Sequence, residues 1–262
     1  MHADSTRSVL LALVVLTGLC ILLACLPGQD PLRISVDNRL VVPSNQHWFG
    51  TDELGRDLLS RVAAGTALTV GVSVAALFSS LAFGVMIGAT AGYYYNRWLD
   101  RLLCWIADVF VSVPFLLVVA AVLSVTGPGL IKAYAVLTAI MWVNPARIVR
   151  AEVIKTWPLD YVSAERTLGT PEWKVLFVTV VPACVNTAML FSVGYLPEII
   201  ALEAGLSFLG LGVQPPQPSL GKMIFEGLNQ IGAAWWLATL PAAALFLVVL
   251  SVQGVAAYAR RR

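Results

Sequence analysis

Six stretches of this chain, at about 9–26, 67–94, 102–126, 133–149, 184–212 and 235–258, run almost without charge, and few folds accommodate such runs. A bilayer-crossing helix takes about 20 mostly apolar residues. In lipid the backbone polar groups must be satisfied within the structure, which leaves helices or closed barrels. Runs of this length are expected to be helices. The chain is therefore read as an all-α polytopic membrane protein, a single transmembrane domain over residues 1–262 with about six spans. Its 58% apolar and 12% charged residues exclude a water-soluble globule, in which about 25% of residues are charged. The run from Val9 to Leu26 is taken as a retained helix, because it is longer than the 7–15 residues of a signal peptide's apolar region.

Where the charges sit is more informative than their net value of +2, which is too balanced for a nucleic-acid binder. Cations are retained on the cytoplasmic side. With both termini inside, Arg7, Arg97, Arg101, Arg147, Arg150, Lys155, Arg166, Lys174, Arg260, Arg261 and Arg262 lie inside. Outside remain Arg33, Arg39, Arg56, Arg61, Lys132 and Lys222. This orientation makes residues 27–65 an outer loop and 150–183 the largest cytoplasmic loop. Cys20, Cys25, Cys104 and Cys184 lie in apolar segments without C-x-x-C spacing, and His2 and His47 are far apart in polar ones. Neither a disulfide framework nor a metal site is indicated. The second run carries Gly84, Gly88 and Gly92 at four-residue spacing after Gly71, Ala75 and Ser79, a small-residue stripe suited to close helix packing.

Within the 150–183 loop, residues 159–168 suit a short helix ended by Gly169, after which Thr170-Pro171 offers an N-cap with proline at the first helical position. The loop resembles the EAA loop of binding-protein-dependent ABC importers: Ala164, Arg166, Leu168, Gly169 and Pro182 fit its pattern and spacing. Ser163, Glu165, Thr179 and Val181 depart from it, standing where Glu, Ala, Ile and Leu are usual. Two further segments resemble the C-type permease of dipeptide, oligopeptide and nickel importers. They are the G-T-D-x-x-G-R-D-x-x-S-R block from Gly50 to Arg61 and the E-A-x-L-S-F-L-G-L-G-x-x-P-P-x-P-x-x-G block from Glu203 to Gly221.

That resemblance implies a type I permease fold in the bacterial cytoplasmic membrane, forming half of a translocation pathway. The implied partners are a second homologous permease, two ATPase subunits, an extracytoplasmic binding protein and membrane lipid. ATP and Mg would reside on the ATPase subunits, with no cofactor in this chain and no enzyme activity of its own. Consistently, the only Gly-Lys pair, Gly221-Lys222, is followed by Met223 and cannot form a phosphate-binding P-loop. Tyr161, Ala164, Glu165, Arg166, Leu168, Gly169 and Pro182 are the expected ATPase-coupling residues.

The charges of the outer block have two readings. Asp52, Glu53, Arg56, Asp57 and Arg61 can pair among themselves along a surface helix. Alternatively Gly50, Asp52, Arg56, Asp57 and Arg61 gate or dock the binding protein. Asp108, Glu198 and Glu203 enter the spans, where acids usually meet a partner or a water-filled path. They are candidates to line the pathway, and a proton- or sodium-driven carrier using them is the competing reading. Trp98, Trp105, Trp235 and Trp236 fit an interfacial belt. Peptides, nickel and metal chelates all remain possible cargo. Gln46-His47-Trp48 leans slightly toward the nickel branch.

Overall fold

Proline and glycine positions decide where the apolar runs actually break. The computed structural model describes residue 18 and residues 30–259. The predicted span at 9–26 therefore lies outside the described residues apart from residue 18. Besides a 3-10 turn at Val36–Asn38 and an isolated bridge between Thr51 and Asp57, regular structure among the described residues is helical. The helices are α1 (Leu58–Tyr93), α2 (Trp98–Ser112), α3 (Phe115–Thr126), α4 (Leu130–Met141), α5 (Val143–Thr156), α6 (Asp160–Thr167), α7 (Glu172–Val193), α8 (Leu196–Phe208), α9 (Leu220–Leu228) and α10 (Trp236–Ala259).

Three of them, α1, α7 and α10, are long and apolar enough to cross a membrane, and α2 with α3 makes a fourth crossing if that pair, bent by 85°, counts as one span. The bend sits where the 102–126 run holds Pro114, and Val113 before it is extended, at φ −96° and ψ 130°. Proline removes a helical N–H and pushes its predecessor out of the helical region. The same chemistry alters two other expected spans. The run at 133–149 parts at Trp142 into α4 and α5. Pro145, three residues on, cannot donate to the carbonyl four residues back. The run at 184–212 is two helices, α7 and α8, parted at Gly194-Tyr195 just before Pro197. Helix α7 carries the span expected from 184 back to Glu172 and includes a π-helical stretch at Val175–Val180 just before Pro182. About a third of the loop expected at 150–183, residues 172–183, is thus helix continuous with a span.

The chain groups into two compact units. One holds the described residues up to Val74, with Ala120–Tyr134 and those from Leu196 onward; the other holds Ala75–Val119 and Ala135–Tyr195. In the first, Leu58 and Val62 of α1 bury against Leu220 and Met223 of α9 and Trp236 and Leu237 of α10. In the second, Leu81 and Ala89 of α1, Val149 and Val153 of α5, Val162 of α6 and Val175 to Ala188 of α7 share a core.

The glycine stripe of α1 meets α5. A Cβ on Gly88 would lie 2.4 Å from the Ala146 carbonyl oxygen, one on Gly84 2.7 Å from Pro145, and one on Gly92 2.8 Å from Val153. Without a hydrophobic drive between helices in lipid, such backbone approach supplies the packing. At Gly71, on the same helix, an added Cβ meets nothing within 4 Å. Gly88→Ala is therefore expected to destabilise by about 1–3 kcal/mol through overpacking, whereas Gly71→Ala is expected to be neutral or slightly stabilising. Thermal unfolding of the two variants in the same detergent checks the contrast.

Candidate functional site

The loop joining α5 to α7 is built around α6. Its end is a Schellman motif: Gly169 N–H donates to the Arg166 carbonyl at 3.0 Å and Thr170 N–H to the Glu165 carbonyl at 3.3 Å. That closure places Gly169 at φ +84°, a region glycine enters without strain. The next helix starts one residue later than its sequence suggested. Pro171, at ψ 135°, is the extended N-cap residue and Glu172 the first helical one, so Thr170 is not the cap.

Within this loop Val162 is fully buried. Arg166 and Glu172 are both exposed; Arg166 lies over the Trp157 ring at 5.1 Å and pairs with Glu172 at 3.4 Å. Glu172 also accepts a hydrogen bond from the Tyr93 hydroxyl at the end of α1, and Tyr93 packs edge-on against Trp157. Tyr161, Ala164, Gly169 and Trp173 are exposed, and Leu168 is 85% exposed. Pro182 is also exposed, on α7.

Two of the departures from the EAA pattern answer each other. Thr179 Oγ1 donates to Glu165 Oε2 at 2.6 Å, so the acid on α6 is tied to the hydroxyl on α7. Tyr93, Trp157 and Glu172 carry the clamp, yet Tyr93 and Glu172 lie 79 positions apart. No local spacing could have joined them. Behind the loop, Asp100 is buried and takes two hydrogen bonds from Arg150, at 2.6 and 2.9 Å. Asp100's hydrogen bond holds the Arg150 guanidinium above its ordinary pKa, so it stays charged.

The segment Gly50–Arg61 is not a surface helix up to Asp57. It is a tight turn, because a helix cannot hold Gly50 at φ +75° and Gly55 at φ +71°. Asp52 is its hub. It accepts from the backbone N–H of Leu54 and Arg56, both at 2.9 Å, and pairs with Arg56 at 2.6 Å and Arg61 at 3.3 Å. Asp57 caps α1 by accepting from Ser60 N–H at 2.9 Å, and it pairs with His47 at 2.9 Å. His47 is thus a partly buried partner of Asp57 rather than the solvated loop residue its position suggested. Glu53 accepts from Gln230 at 2.6 Å. Gly50 lies against Trp236, whose indole N–H donates to the Thr51 carbonyl at 3.3 Å. Trp236 is buried, unlike the exposed Trp98, Trp105 and Trp235, and so leaves the interfacial belt.

The three acids of the spans divide as well. Asp108 pairs with Arg147 at 2.7 Å, both largely exposed in this chain, and Glu198 is exposed. Glu203 is 3% exposed; Ser207 donates to it at 2.9 Å, and the same hydroxyl accepts from Val213 N–H at 3.3 Å. Glu203 thereby ties α8 to the turn that follows it through one carboxylate oxygen, while its Oε2 is buried with no hydrogen-bond partner among the described residues.

The family described as binding-protein-dependent transport system inner membrane component matches residues 84–262. The chain belongs to this family. A glutathione transport system permease protein GsiD of Pectobacterium atrosepticum is 34% identical over 209 residues, covering 80% of this chain and 69% of that protein. A dipeptide transport system permease protein DppC of Bacillus subtilis is 36% identical over 218 residues, covering 83% and 68%. The solved MetNI methionine ABC transporter, inward facing, has a chain with a TM-score of 0.50 and 20% identity, covering 73% of this chain and 93% of that one, a likeness of fold. The present protein is a permease subunit, the non-catalytic, multi-pass inner-membrane part of an ABC importer, and its family works with ATPase and binding-protein partners. Nothing among these findings supports a carrier driven by intramembrane acids.

In this permease, loss of the Asp52 charge should be costly. Asp52→Asn leaves Arg61, only 4% exposed, without its counter-charge, and about 3–5 kcal/mol of destabilisation is expected. Glu53→Gln, which keeps an oxygen to accept from Gln230, is expected to cost less than about 1 kcal/mol. Denaturant titration of both variants in detergent measures the difference.

Proposed function

We propose that the permease couples ATP hydrolysis on partner subunits to import of short peptides, through the loop centred on α6. The carrying observation is that the loop is tied to the spans and still exposes apolar side chains. Val162 is buried and Arg166, Glu172, Tyr93 and Trp157 link the loop to α1 and α7, while Leu168, Tyr161 and Trp173 stand uncovered. Exposed apolar patches beside polar residues mark protein contacts. A short helix seated on an ATPase subunit, and rigidly tied to α1 and α7, passes motion of that subunit to the spans. Tyr161, Ala164, Leu168 and Gly169 form the contact; Glu165, Arg166 and Pro182 hold its geometry.

The cation bias supports both termini and this loop in the cytoplasm, which puts Gly50–Arg61 on the opposite side. There Asp52, Arg56, Asp57 and Arg61 spend their charges on one another and on the start of α1, so they shape the outer surface rather than dock a partner by free charge. A second homologous permease completes the pathway, two ATPase subunits hold ATP and Mg, and an extracytoplasmic protein delivers the cargo. Peptide cargo is favoured because the relatives named above transport glutathione and dipeptides.

Leu168→Asp places a charge on the most exposed apolar side chain of the loop at no folding cost. It is expected to lower peptide-stimulated ATP hydrolysis by about tenfold or more and to weaken copurification of the ATPase subunits. Gly169→Val, strained at positive φ by about 1–2 kcal/mol though its Cβ has open space, is expected to uncouple the complex with the permease still folded. Unchanged stimulated hydrolysis and copurification in both variants would refute the coupling role of the loop.

A further inference from the structure

Next to the Asp52 hub lies a cavity of about 320 Å³, bounded by Asp52–Leu58, Arg61, the Pro215–Ser219 turn and one face of α9 and backed by Leu58, Met223 and Leu237. Its volume is that of a small-ligand site. Its charges are not equivalent. Asp52, Arg56 and Arg61 satisfy one another, and Glu53 is held by Gln230. Lys222 and Glu226, by contrast, both line the cavity from α9 and have no side-chain hydrogen bond or ion pair among the described residues. Glu226 contributes only a through-space field at Arg61. They stand four positions apart, on one helix face about 6 Å apart along the axis, with the lysine nearer the N-terminus, the less favourable order for pairing with each other.

One free cation and one free anion, about a helical turn apart over an apolar floor, match a molecule with the same charges reversed. Two extended residues span about 7 Å, so the termini of a dipeptide reach both. Resting on the peptide-import reading and its orientation, we infer that this cavity is a receiving subsite for short zwitterionic peptides on the extracytoplasmic side. Lys222 takes the C-terminal carboxylate and Glu226 the N-terminal ammonium. The apolar floor accepts side chains without selecting among them, and the two charges select for free termini.

The test uses the permease complex with its ATPase subunits in nanodiscs, without binding protein. It is titrated by saturation-transfer NMR with alanyl-alanine, its N-acetyl form and its C-terminal amide. Lys222→Gln is expected to weaken alanyl-alanine at least about tenfold and to leave the amide unaffected; Glu226→Gln is expected to do the same with the N-acetyl form unaffected. No binding by the wild type, or equal losses for free and blocked peptides, overturns the inference. So does an unchanged peptide titration in variants that lose affinity for the binding protein, which would make the cavity a seat for that protein. Peptide-stimulated ATP hydrolysis by the complete complex with binding protein is measured alongside. If it is present while the titration shows no subsite, the cavity alone is refuted; if it is absent, peptide import fails and the subsite with it.

Discussion

The approach of α1 to α5 at Gly84, Gly88 and Gly92 is the constraint on which the unit that carries α6 depends. The Gly88 position leaves no room for a side chain beside the Ala146 carbonyl. In lipid, close backbone contact replaces the hydrophobic drive that joins helices in water. With the two helices held at this distance, Tyr93 at the end of α1 reaches Trp157 at the end of α5 and Glu172 at the start of α7. The orientation of α6 follows from contacts whose members come from three helices.

Polar chemistry elsewhere in the chain is spent on structure in the same way. Asp52 folds a glycine-bearing turn around two arginines, Asp57 starts α1, and Glu203 uses Ser207 to secure the turn after α8. The arginines around Asp52 keep that partly buried charge paired. By contrast Leu168 on the loop is exposed, and Lys222 and Glu226, lining the cavity beside Asp52, have no side-chain partner among the described residues.

Much of this was legible in the chain. The apolar runs announced membrane helices, and the three motif blocks pointed to the permease family before any geometry. The local closure at Gly169 was also readable, because a glycine-ended helix is a matter of adjacent residues. The pairing of Glu165 with Thr179 was not, although both stood out as departures from the motif. Neither was the role of Tyr93, which carries no motif at all. Span boundaries were read too long at Pro114, Trp142 and Gly194, because mean hydropathy does not register a missing N–H.

By itself the sequence determined the membrane class, the family and the glycine end of the loop helix at Gly169. Those properties follow from local chemistry: solvation of side chains in lipid, and the backbone limits of proline and glycine. Only the tertiary structure decided which charges are consumed and which remain available. Read from the chain, Asp52, Arg56 and Arg61 could pair along a helix or stand free to dock a partner. The Gly50 and Gly55 turn closes them on one another, while α9 holds Lys222 and Glu226 at a cavity with no side-chain partner among the described residues. Pairing depends on distances between segments far apart in the chain, and those distances exist only once the helices are packed.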